Sequence, residues 1–299
     1  MEEIEKAKDR LEVLERIKEM EKNGIFDIDA EDNLPTIELL PNQIDYKRKK
    51  LKNKILRFFA YKGIVKFVKK MQKIGMFQVK EIKGIENLKS VKTGAILTCN
   101  HFGAQDSFAM DLAFTSAKLK HKRMFKVIRE GNFTNPPKGF EAPMKYCDTL
   151  PLSQNKSTMK KFMRCTNELI QEGNFVLIYP EEAMWWNYRK PRPLKNGAFR
   201  FATKNNVPVI PCFITMEDSD VIAPDGFPVQ ILTIHVEKPI YPDKDKDLKS
   251  NIEELKNKNF EIWKEIYEST YNKKLEYDTI VNENTDEIVK RYAKVLDKN

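Results

Sequence analysis

The sequence predicts an α/β protein with a mostly parallel central sheet flanked by helices and with amphipathic helices at its amino end. From residue 77 onward, short apolar runs of strand length alternate with segments whose apolar residues recur at helical spacing. Such alternation is typical of layered α/β folds with a parallel sheet, and an antiparallel edge is compatible with it. A hydrophobic fraction of 41% in 299 residues is enough to bury a core.

The elements follow from local periodicity and from the residues that interrupt it. Apolar residues at steps of three and four predict a first helix over residues 2–22, which ends at Asn23-Gly24. Predicted strands cover residues 77–82, 95–99, 124–128, 175–179, 207–215 and 229–236, and predicted helices between them cover 106–119, 156–173 and 196–206. We expect four parts along the chain. Residues 1–44 form a helix and an acidic linker, and residues 45–76 form basic amphipathic helices. Residues 77–245 form the α/β domain, and residues 246–299 form carboxyl-terminal helices.

The charge balance narrows the class of partner. The chain has 53 basic and 44 acidic side chains, a formal net charge of +9, which suits nucleic acid, an acidic membrane surface or a phosphorylated small molecule. No recognised nucleic-acid motif is present, so we expect no nucleic-acid partner. The amino terminus is too charged for a signal peptide, and no run approaches the ~20 apolar residues of a membrane span. Cys99, Cys147, Cys165 and Cys212 form no C-x-x-C pair, so we expect reduced thiols and no metal site.

Residues 46–77 contain lysine or arginine throughout and no acidic residue. Seven apolar residues fall largely on one helical face: Leu51, Ile55, Phe58, Phe59, Val65, Val68 and Met71. A basic amphipathic helix with aromatic residues is typical of an element that lies in the membrane interface. The alternative is a helix packed on the core of the protein with a solvated basic face. Gly63 is a position at which this helix could divide in two.

One histidine and one acid stand where α/β proteins place reactive groups. Asn100 and His101 follow the apolar strand "AILTC", and Asp106 opens the next helix, so strand end and helix start bring the two side chains together. An imidazole oriented by a carboxylate is a competent general base for a hydroxyl. The alternative is an ordinary capping aspartate beside an incidental histidine. Because no serine or cysteine nucleophile is evident beside them, we expect direct attack by an acceptor hydroxyl.

Three segments in collinear order resemble the glycerolipid acyltransferases, the family that includes the 1-acylglycerol-3-phosphate acyltransferases. "NHFGAQD" resembles their N-H-x-x-x-x-D signature, "IYPEEA" their F-P-E-G block, and "LKNGAFRFATKNNVPVIPCFIT" their lysine–glycine helix and V-P-V-x-P strand. The resemblance covers roughly residues 80–240. It implies the acyltransferase fold, with His101 as the catalytic base and Asp106 as its orienting acid. It further implies substrate-side roles for Asn100, Glu181 and Pro211, the proline being linked to the acyl pocket.

The resemblance also implies the reaction partners. The donor is an acyl thioester, acyl-CoA or acyl-carrier protein, and the acceptor is a lysophospholipid at an anionic membrane surface. No metal or tightly bound cofactor is implied. We expect a cytoplasmic protein, peripheral on the inner face of the cell membrane. A catalytically inactive membrane-surface module is the non-enzymatic alternative, and the pair His101 and Asp106 argues against it.

Two arginines of the family pattern are replaced in this chain. The third block of the family usually continues with glycine, a small residue and arginine, and the corresponding positions here are Glu182, Ala183 and Met184. The second block usually ends in an arginine, and Ser153 stands near that position. In one interpretation the acceptor phosphate is bound instead by the basic segment "WWNYRKPRPLK", with help from Lys126 or Arg129. The candidate residues in this segment are Arg189, Lys190, Arg192 and Lys195.

In a second interpretation the acceptor has no phosphate and is a saccharide or polyol. Trp185 and Trp186 would then contact a sugar face or an acyl chain, unless they anchor the protein at the membrane interface, where tryptophan is common. The other two histidines have structural interpretations: His121 lies in a basic solvated turn, and His235 alternates within a predicted strand. Sequence alone leaves the acceptor open.

Overall fold

The computed structural model of the protein describes residues 2–32 and 35–279. The strands are β1 (Gln78–Lys83), β2 (Ala95–Thr98), β3 (Met124–Ile128), β4 (Thr149–Pro151), β5 (Phe175–Ile178), β6 (Val209–Ile222) and β7 (Pro228–Val236). The α-helices are α1 (Glu2–Lys22), α2 (Leu51–Lys73), α3 (Ile85–Ser90), α4 (Ala104–Ser116), α5 (Glu130–Thr134), α6 (Glu141–Tyr146), α7 (Lys156–Gln171), α8 (Gly197–Asn205) and α9 (Leu248–Tyr271). Residues 280–299, which belong to the predicted carboxyl-terminal helices, lie outside the described residues.

The strands form one seven-stranded sheet in the order β1-β7-β6-β2-β5-β3-β4. Neighbours pair in parallel except β6 and β7, which are antiparallel, so β1 and β7 run opposite to the other five. The predicted α/β class, with a mostly parallel sheet and an antiparallel edge, is confirmed. The carboxyl ends of β2, β5, β3 and β4 meet at one edge of the sheet, where open α/β folds place their sites.

Alternate residues of the central strands pack on opposite faces of the sheet, as a strand period of two requires. Ile96 of β2 belongs to the core that α7, α8 and α9 cover, whereas its neighbour Leu97 belongs to the core beneath α4. Trp263 of α9 is fully buried in the first of these cores. Helix α9 therefore docks on the sheet through its apolar face.

Helix α1 agrees with the predicted helix over residues 2–22, and its packing links it to the segment that follows β5. Val13, Ile17 and Met20 of α1 form a separate apolar cluster with Ala183 and Trp185. This cluster lies at the same end of the molecule as the carboxyl end of β5. The amino-terminal helix is thus part of the structure around the sheet edge.

Helix α2 is continuous through Gly63, so the possible division of this helix does not occur. A narrow stripe with Ala60 and Ile64 packs beside α6, while much of the predicted apolar face lies exposed. Arg57 and Tyr61 bind the buried carboxylate of Asp148, with Arg57 Nη2 at 2.6 Å and the tyrosine hydroxyl at 3.1 Å. These contacts anchor α2 at the start of β4. Among the described residues, no helix is both long and apolar enough to cross a membrane.

Candidate active site

The end of strand β2 is fixed to strand β6 by the side chain of Asn100. Its amide nitrogen donates to the carbonyl of Ile214 at 3.0 Å, and its amide oxygen accepts from the Ile214 N–H at 2.8 Å. Asn100 is 2% exposed, and both ends of its amide are used by the β6 backbone. It was expected to contact substrate, and the structure places it under the next residue, His101, as a structural support.

His101 and Asp106 lie side by side at the edge of the sheet. Asp106 is the third residue of α4, and its Oδ2 accepts from His101 Nδ1 at 2.7 Å and from the N–H groups of Phe102 and Gly103 at 3.1 and 3.2 Å. The carboxylate is fully buried, whereas the imidazole is 23% exposed. With Nδ1 donating to Asp106, Nε2 has the lone pair and can accept a proton. The arrangement is that of an oriented general base.

Glu181 and Arg192 hold the opposite side of His101. Glu181 Oε2 accepts from the His101 N–H at 3.0 Å and from Arg192 Nη2 at 2.7 Å, and Oε1 accepts from the Arg192 N–H at 2.8 Å. Arg192 Nη2 also donates to the carbonyl of His101 at 3.2 Å. The pair thus binds both backbone polar groups of the histidine. Its evident effect is to fix the position of His101.

The position of Arg192 differs from the one expected for a phosphate ligand. The side chain is 1% exposed, its Nη1 donates to the carbonyl of Phe26 at 3.1 Å, and its guanidinium lies 4.8 Å from the ring centroid of Trp185. The same guanidinium also donates to Glu181 and to the carbonyls of His101 and Ala183. A buried guanidinium with this set of partners is a structural cation, so we interpret Arg192 as a positioning residue.

The other three basic residues of this segment are partly exposed, and each faces a carboxylate. Arg189 Nη2 lies 2.7 Å from Asp218, Lys190 Nζ 2.5 Å from Glu21, and Lys195 Nζ 2.8 Å from Asp27, with side-chain exposures of 37%, 28% and 44%. Glu21 and Asp27 belong to α1 and the loop after it, and Asp218 belongs to β6. The three cations therefore pair with carboxylates on different elements, and none of these pairs includes His101.

The two tryptophans have different environments. Trp185 is fully buried: its Nε1 donates to the carbonyl of Ile28 at 2.8 Å, and its ring stacks on Phe26 with centroids 5.7 Å apart. Neither expectation for Trp185, substrate contact or membrane anchoring, agrees with this burial. Its backbone N–H donates to the carbonyl of His101 at 3.2 Å. Trp186 is half-buried between Phe227 and Arg10.

The remaining candidate residues lie along the same edge. Pro211 is buried in β6 and pairs with Thr98 of β2, just before the site loop. Ser153 donates to Glu130 at 2.6 Å, and Lys126 lies 2.5 Å from Asp111. Arg129, at the carboxyl end of β3, forms an ion pair with Asp29.

A nucleophilic thiol is absent from the described site. Burial raises the pKa of the Cys99 thiol well above its ordinary value, and the nearby Asp106 carboxylate adds to the effect, so this cysteine stays protonated at neutral pH. The described residues also contain no group of three or more histidine, cysteine or acidic side chains placed to bind a metal ion. The chemistry that this site can carry out with its own groups is proton removal by His101.

Tyr179, the first residue after β5, stands where the resembling block commonly has phenylalanine, and the sequence alone indicated no role for this mild change. Its ring stacks on the imidazole of His101, with centroids 4.3 Å apart and planes 24° apart. The available signal was its position at the carboxyl end of a buried strand, where open α/β folds place their sites. Tyr179 is the aromatic neighbour of the candidate base.

Residues 79–215 match the family model described as Acyltransferase, and this segment contains His101, Asp106, Tyr179, Glu181 and Pro211. The matched segment makes up a little under half of the chain, and this part of the protein is similar to that family.

The chain is also similar to two curated plant proteins. It is 30% identical over 173 residues to the chloroplastic 1-acyl-sn-glycerol-3-phosphate acyltransferase BAT2 of Brassica napus, over 56% of this chain and 47% of that protein. It is 31% identical over 146 residues to the chloroplastic 1-acyl-sn-glycerol-3-phosphate acyltransferase LPAT1 of Arabidopsis thaliana, over 48% of this chain and 38% of that protein. The chain thus spans less than half the length of these relatives.

Among solved structures, the chain is similar to the 1-acyl-sn-glycerophosphate (LPA) acyltransferase PlsC of Thermotoga maritima. The two are 18% identical, with a TM-score of 0.49, over 78% of this chain and 100% of that chain.

Proposed function

We propose that the protein transfers an acyl group from a thioester to the hydroxyl of a lysophospholipid of the 1-acylglycerol-3-phosphate type, with His101 as the general base. The observation that supports it most is the imidazole held by Asp106 through Nδ1, with Nε2 left to accept a proton. The site lies within a segment that matches the acyltransferase family. Both plant relatives are named for this acceptor.

The proposed reaction uses groups of the chain for each proton step. Nε2 of His101 takes the proton of the acceptor hydroxyl as its oxygen attacks the thioester carbonyl carbon. The imidazolium is stabilised by Asp106, and it returns the proton to the departing thiolate when the tetrahedral intermediate collapses. General-base catalysis of this kind contributes about 10²–10⁴-fold. Acyl-CoA and acyl-carrier protein are both suitable donors, because the leaving group is a thiol in each.

For a phosphorylated acceptor we propose binding through the partly exposed cations Arg189, Lys190 and Lys195, each of which would exchange a carboxylate for the phosphate. Arg192 is left out of this set because its guanidinium is buried against Glu181. The carboxylate partners of the three cations favour a second candidate, in which the acceptor is a saccharide or polyol without a phosphate. In that case the ion pairs remain intact during turnover.

We further propose that the enzyme works as a peripheral protein on an anionic membrane, at the inner face of the cell membrane. Support comes from α2, where Leu51, Phe58 and Phe59 are 72%, 54% and 62% exposed. Lysines border this apolar row, and Lys62 Nζ lies 4.6 Å from the ring centroid of Phe58. Exposed aromatic rings beside lysines suit the interface of a bilayer with anionic headgroups.

A product screen tests the proposed reaction. The purified protein is incubated with long- and short-chain acyl-CoA or acyl-carrier protein and with 1-acylglycerol-3-phosphate, its dephosphorylated counterpart 1-acylglycerol, and simple polyols. We expect a diacylated phosphate product, with the unphosphorylated acceptor used at least tenfold less efficiently. Equal use of both glycerol acceptors would favour the second candidate. No acylated product with any acceptor would overturn acyl transfer.

A further inference from the structure

The ring of Tyr179 contacts one face of the candidate base, His101. The ring stacks on His101 at 4.3 Å, an offset that fixes the plane of the imidazole. His101 is 23% exposed, and among the described residues its ring forms one hydrogen bond, from Nδ1 to Asp106, which leaves rotation about that bond weakly restrained. A flat aromatic surface beneath the ring removes this freedom.

The hydroxyl of Tyr179 has a role separate from that of its ring. Among the described residues, the buried Tyr179 hydroxyl has no hydrogen-bond partner, and neither does the buried Oδ1 of Asp106. Tyr179 stacks on the imidazole that Asp106 binds at 2.7 Å, so the two residues flank the same ring. Burial raises the pKa of Tyr179 well above its ordinary value, and the Asp106 carboxylate adds to the effect. One is a donor and the other an acceptor, and buried polar groups without partners are costly.

We propose that Tyr179 is a positioning residue of the acyl-transfer site: its ring orients the His101 imidazole, and its hydroxyl donates to Asp106 Oδ1. Asp106 would then accept from His101 through Oδ2 and from Tyr179 through Oδ1. The tyrosine would fix both members of the pair without contacting substrate. This inference rests on the proposed function only where activity is measured.

The second hydrogen bond has a consequence for the base. A donor to Oδ1 disperses the charge of the Asp106 carboxylate, which lowers its ability to stabilise the imidazolium. Removing the tyrosine hydroxyl should therefore raise the pKa of His101. The other ionisable groups around the pair are Cys99 directly after β2, Glu181 after β5 and Arg192 beyond it, and the variants below leave all three unchanged.

The experiment compares Tyr179→Phe, which retains the ring, with Tyr179→Leu, which removes both the ring and the hydroxyl. Tyr46→Phe is the control, because it deletes another buried hydroxyl, one that donates to the Pro151 carbonyl at 2.9 Å. The titration of His101 is followed by NMR in the absence of substrate. This measurement needs no assumption about the reaction.

We expect Tyr179→Phe to raise the pKa of His101 by about 0.5 unit and to lower kcat about three- to tenfold with KM unchanged. In Tyr179→Leu the upfield ring-current shift of the His101 protons should disappear, and kcat should fall a further several-fold. Tyr46→Phe should leave both the titration and kcat unchanged.

The hydroxyl contact and the ring stack of Tyr179 are tested by different results. An unchanged His101 titration in Tyr179→Phe would overturn the hydroxyl contact, and a ring-current shift retained in Tyr179→Leu would overturn the stack. A protein that shows both NMR effects but acylates no acceptor would instead overturn the proposed function and leave the positioning role in place.

Discussion

Arg192 Nη2 lies 2.7 Å from Glu181 Oε2, and both side chains are buried, with exposed fractions of 1% and 2%. Together they bind the N–H and the carbonyl of His101. A buried ion pair gains little net stability against an apolar replacement, but removal of one partner leaves an uncompensated buried charge. The pair therefore couples the stability of the fold to the position of the candidate base.

Arg192→Met should lower the free energy of unfolding by about 3–5 kcal/mol, because Glu181 loses its buried counter-charge. It should also lower kcat more than KM changes, since His101 loses the support of its backbone. Urea unfolding and steady-state kinetics measure the two effects. Arg189→Met is the matched control: that arginine is half-exposed, and its ion pair is worth at most about 1 kcal/mol. Similar losses of unfolding free energy in Arg192→Met and Arg189→Met would contradict a special role for Arg192.

Trp185→Ala should lower the free energy of unfolding by about 3–5 kcal/mol, as truncation of a fully buried aromatic side chain does. Trp186→Ala, at a half-buried position, should cost much less. Urea unfolding monitored by circular dichroism gives both values. If Trp185→Ala were as stable as the parent protein and lost only acceptor affinity, Trp185 would be a substrate contact and its assigned place in the core would be wrong.

The fold was predictable where periodicity extends over a full element. Strand β2, helix α4 and the His101–Asp106 pair follow from an apolar run that ends in polar residues and a helix that starts with an acid. Strand β4 has three residues and helices α3, α5 and α6 have five or six, which is too short for a period to be recognised. These elements were missed for that reason.

The surroundings of the site were less predictable, because they depend on residues distant in sequence. A run such as "NYRKPRP" indicates charge but does not indicate which charges are buried. Arg192 is buried because Phe26, far away at the amino end, supplies its carbonyl, and because Glu181 faces it across the site. A single sequence gives no signal for that pairing, so the expectation of four exposed phosphate ligands reduces to three partly exposed cations.

The stability of the protein should fall between about pH 6.5 and pH 4 through His235. Burial lowers the pKa of this histidine to about 4, with a smaller effect from Lys83, and its Nε2 lies 3.1 Å from Thr215 Oγ1. The unfolded chain takes up the proton first, at the ordinary pKa, so stability is complete above about pH 6.5 and declines as the pH falls toward 4. The loss is on the order of 2–3 kcal/mol.

Denaturant unfolding of the parent protein and of His235→Gln, at several pH values, isolates this contribution, because the carboxylates titrate alike in both. The parent should lose more stability than the variant between pH 7 and pH 4. If the free energy of unfolding fell equally with pH in both proteins, His235 would not contribute to the pH dependence of stability.

Phe58→Ser combined with Phe59→Ser should weaken binding to anionic vesicles at least tenfold, since two exposed rings would no longer enter the interface. Substitution of Lys62, Lys66 and Lys69 by glutamine should weaken it by about 1 kcal/mol per lysine at low salt and less at high salt. Vesicle sedimentation at two salt concentrations measures both effects. Leu11→Ser, which removes an exposed apolar side chain of α1, is the control and should change nothing.

Equal sedimentation of the parent and the double phenylalanine variant would contradict the assignment of α2 to the membrane. The exposed apolar residues of α2 would then require a binding partner other than a membrane.

The most direct test of the central claim is the turnover of His101→Ala in acyl transfer to 1-acylglycerol-3-phosphate, compared with that of His121→Ala. His121 lies in the turn before β3, away from the site loop, and its removal should leave turnover unchanged. Loss of the positioned base should lower kcat at least about a hundredfold, with circular dichroism confirming an intact fold. A His101→Ala enzyme that turns over within threefold of the parent would contradict the account.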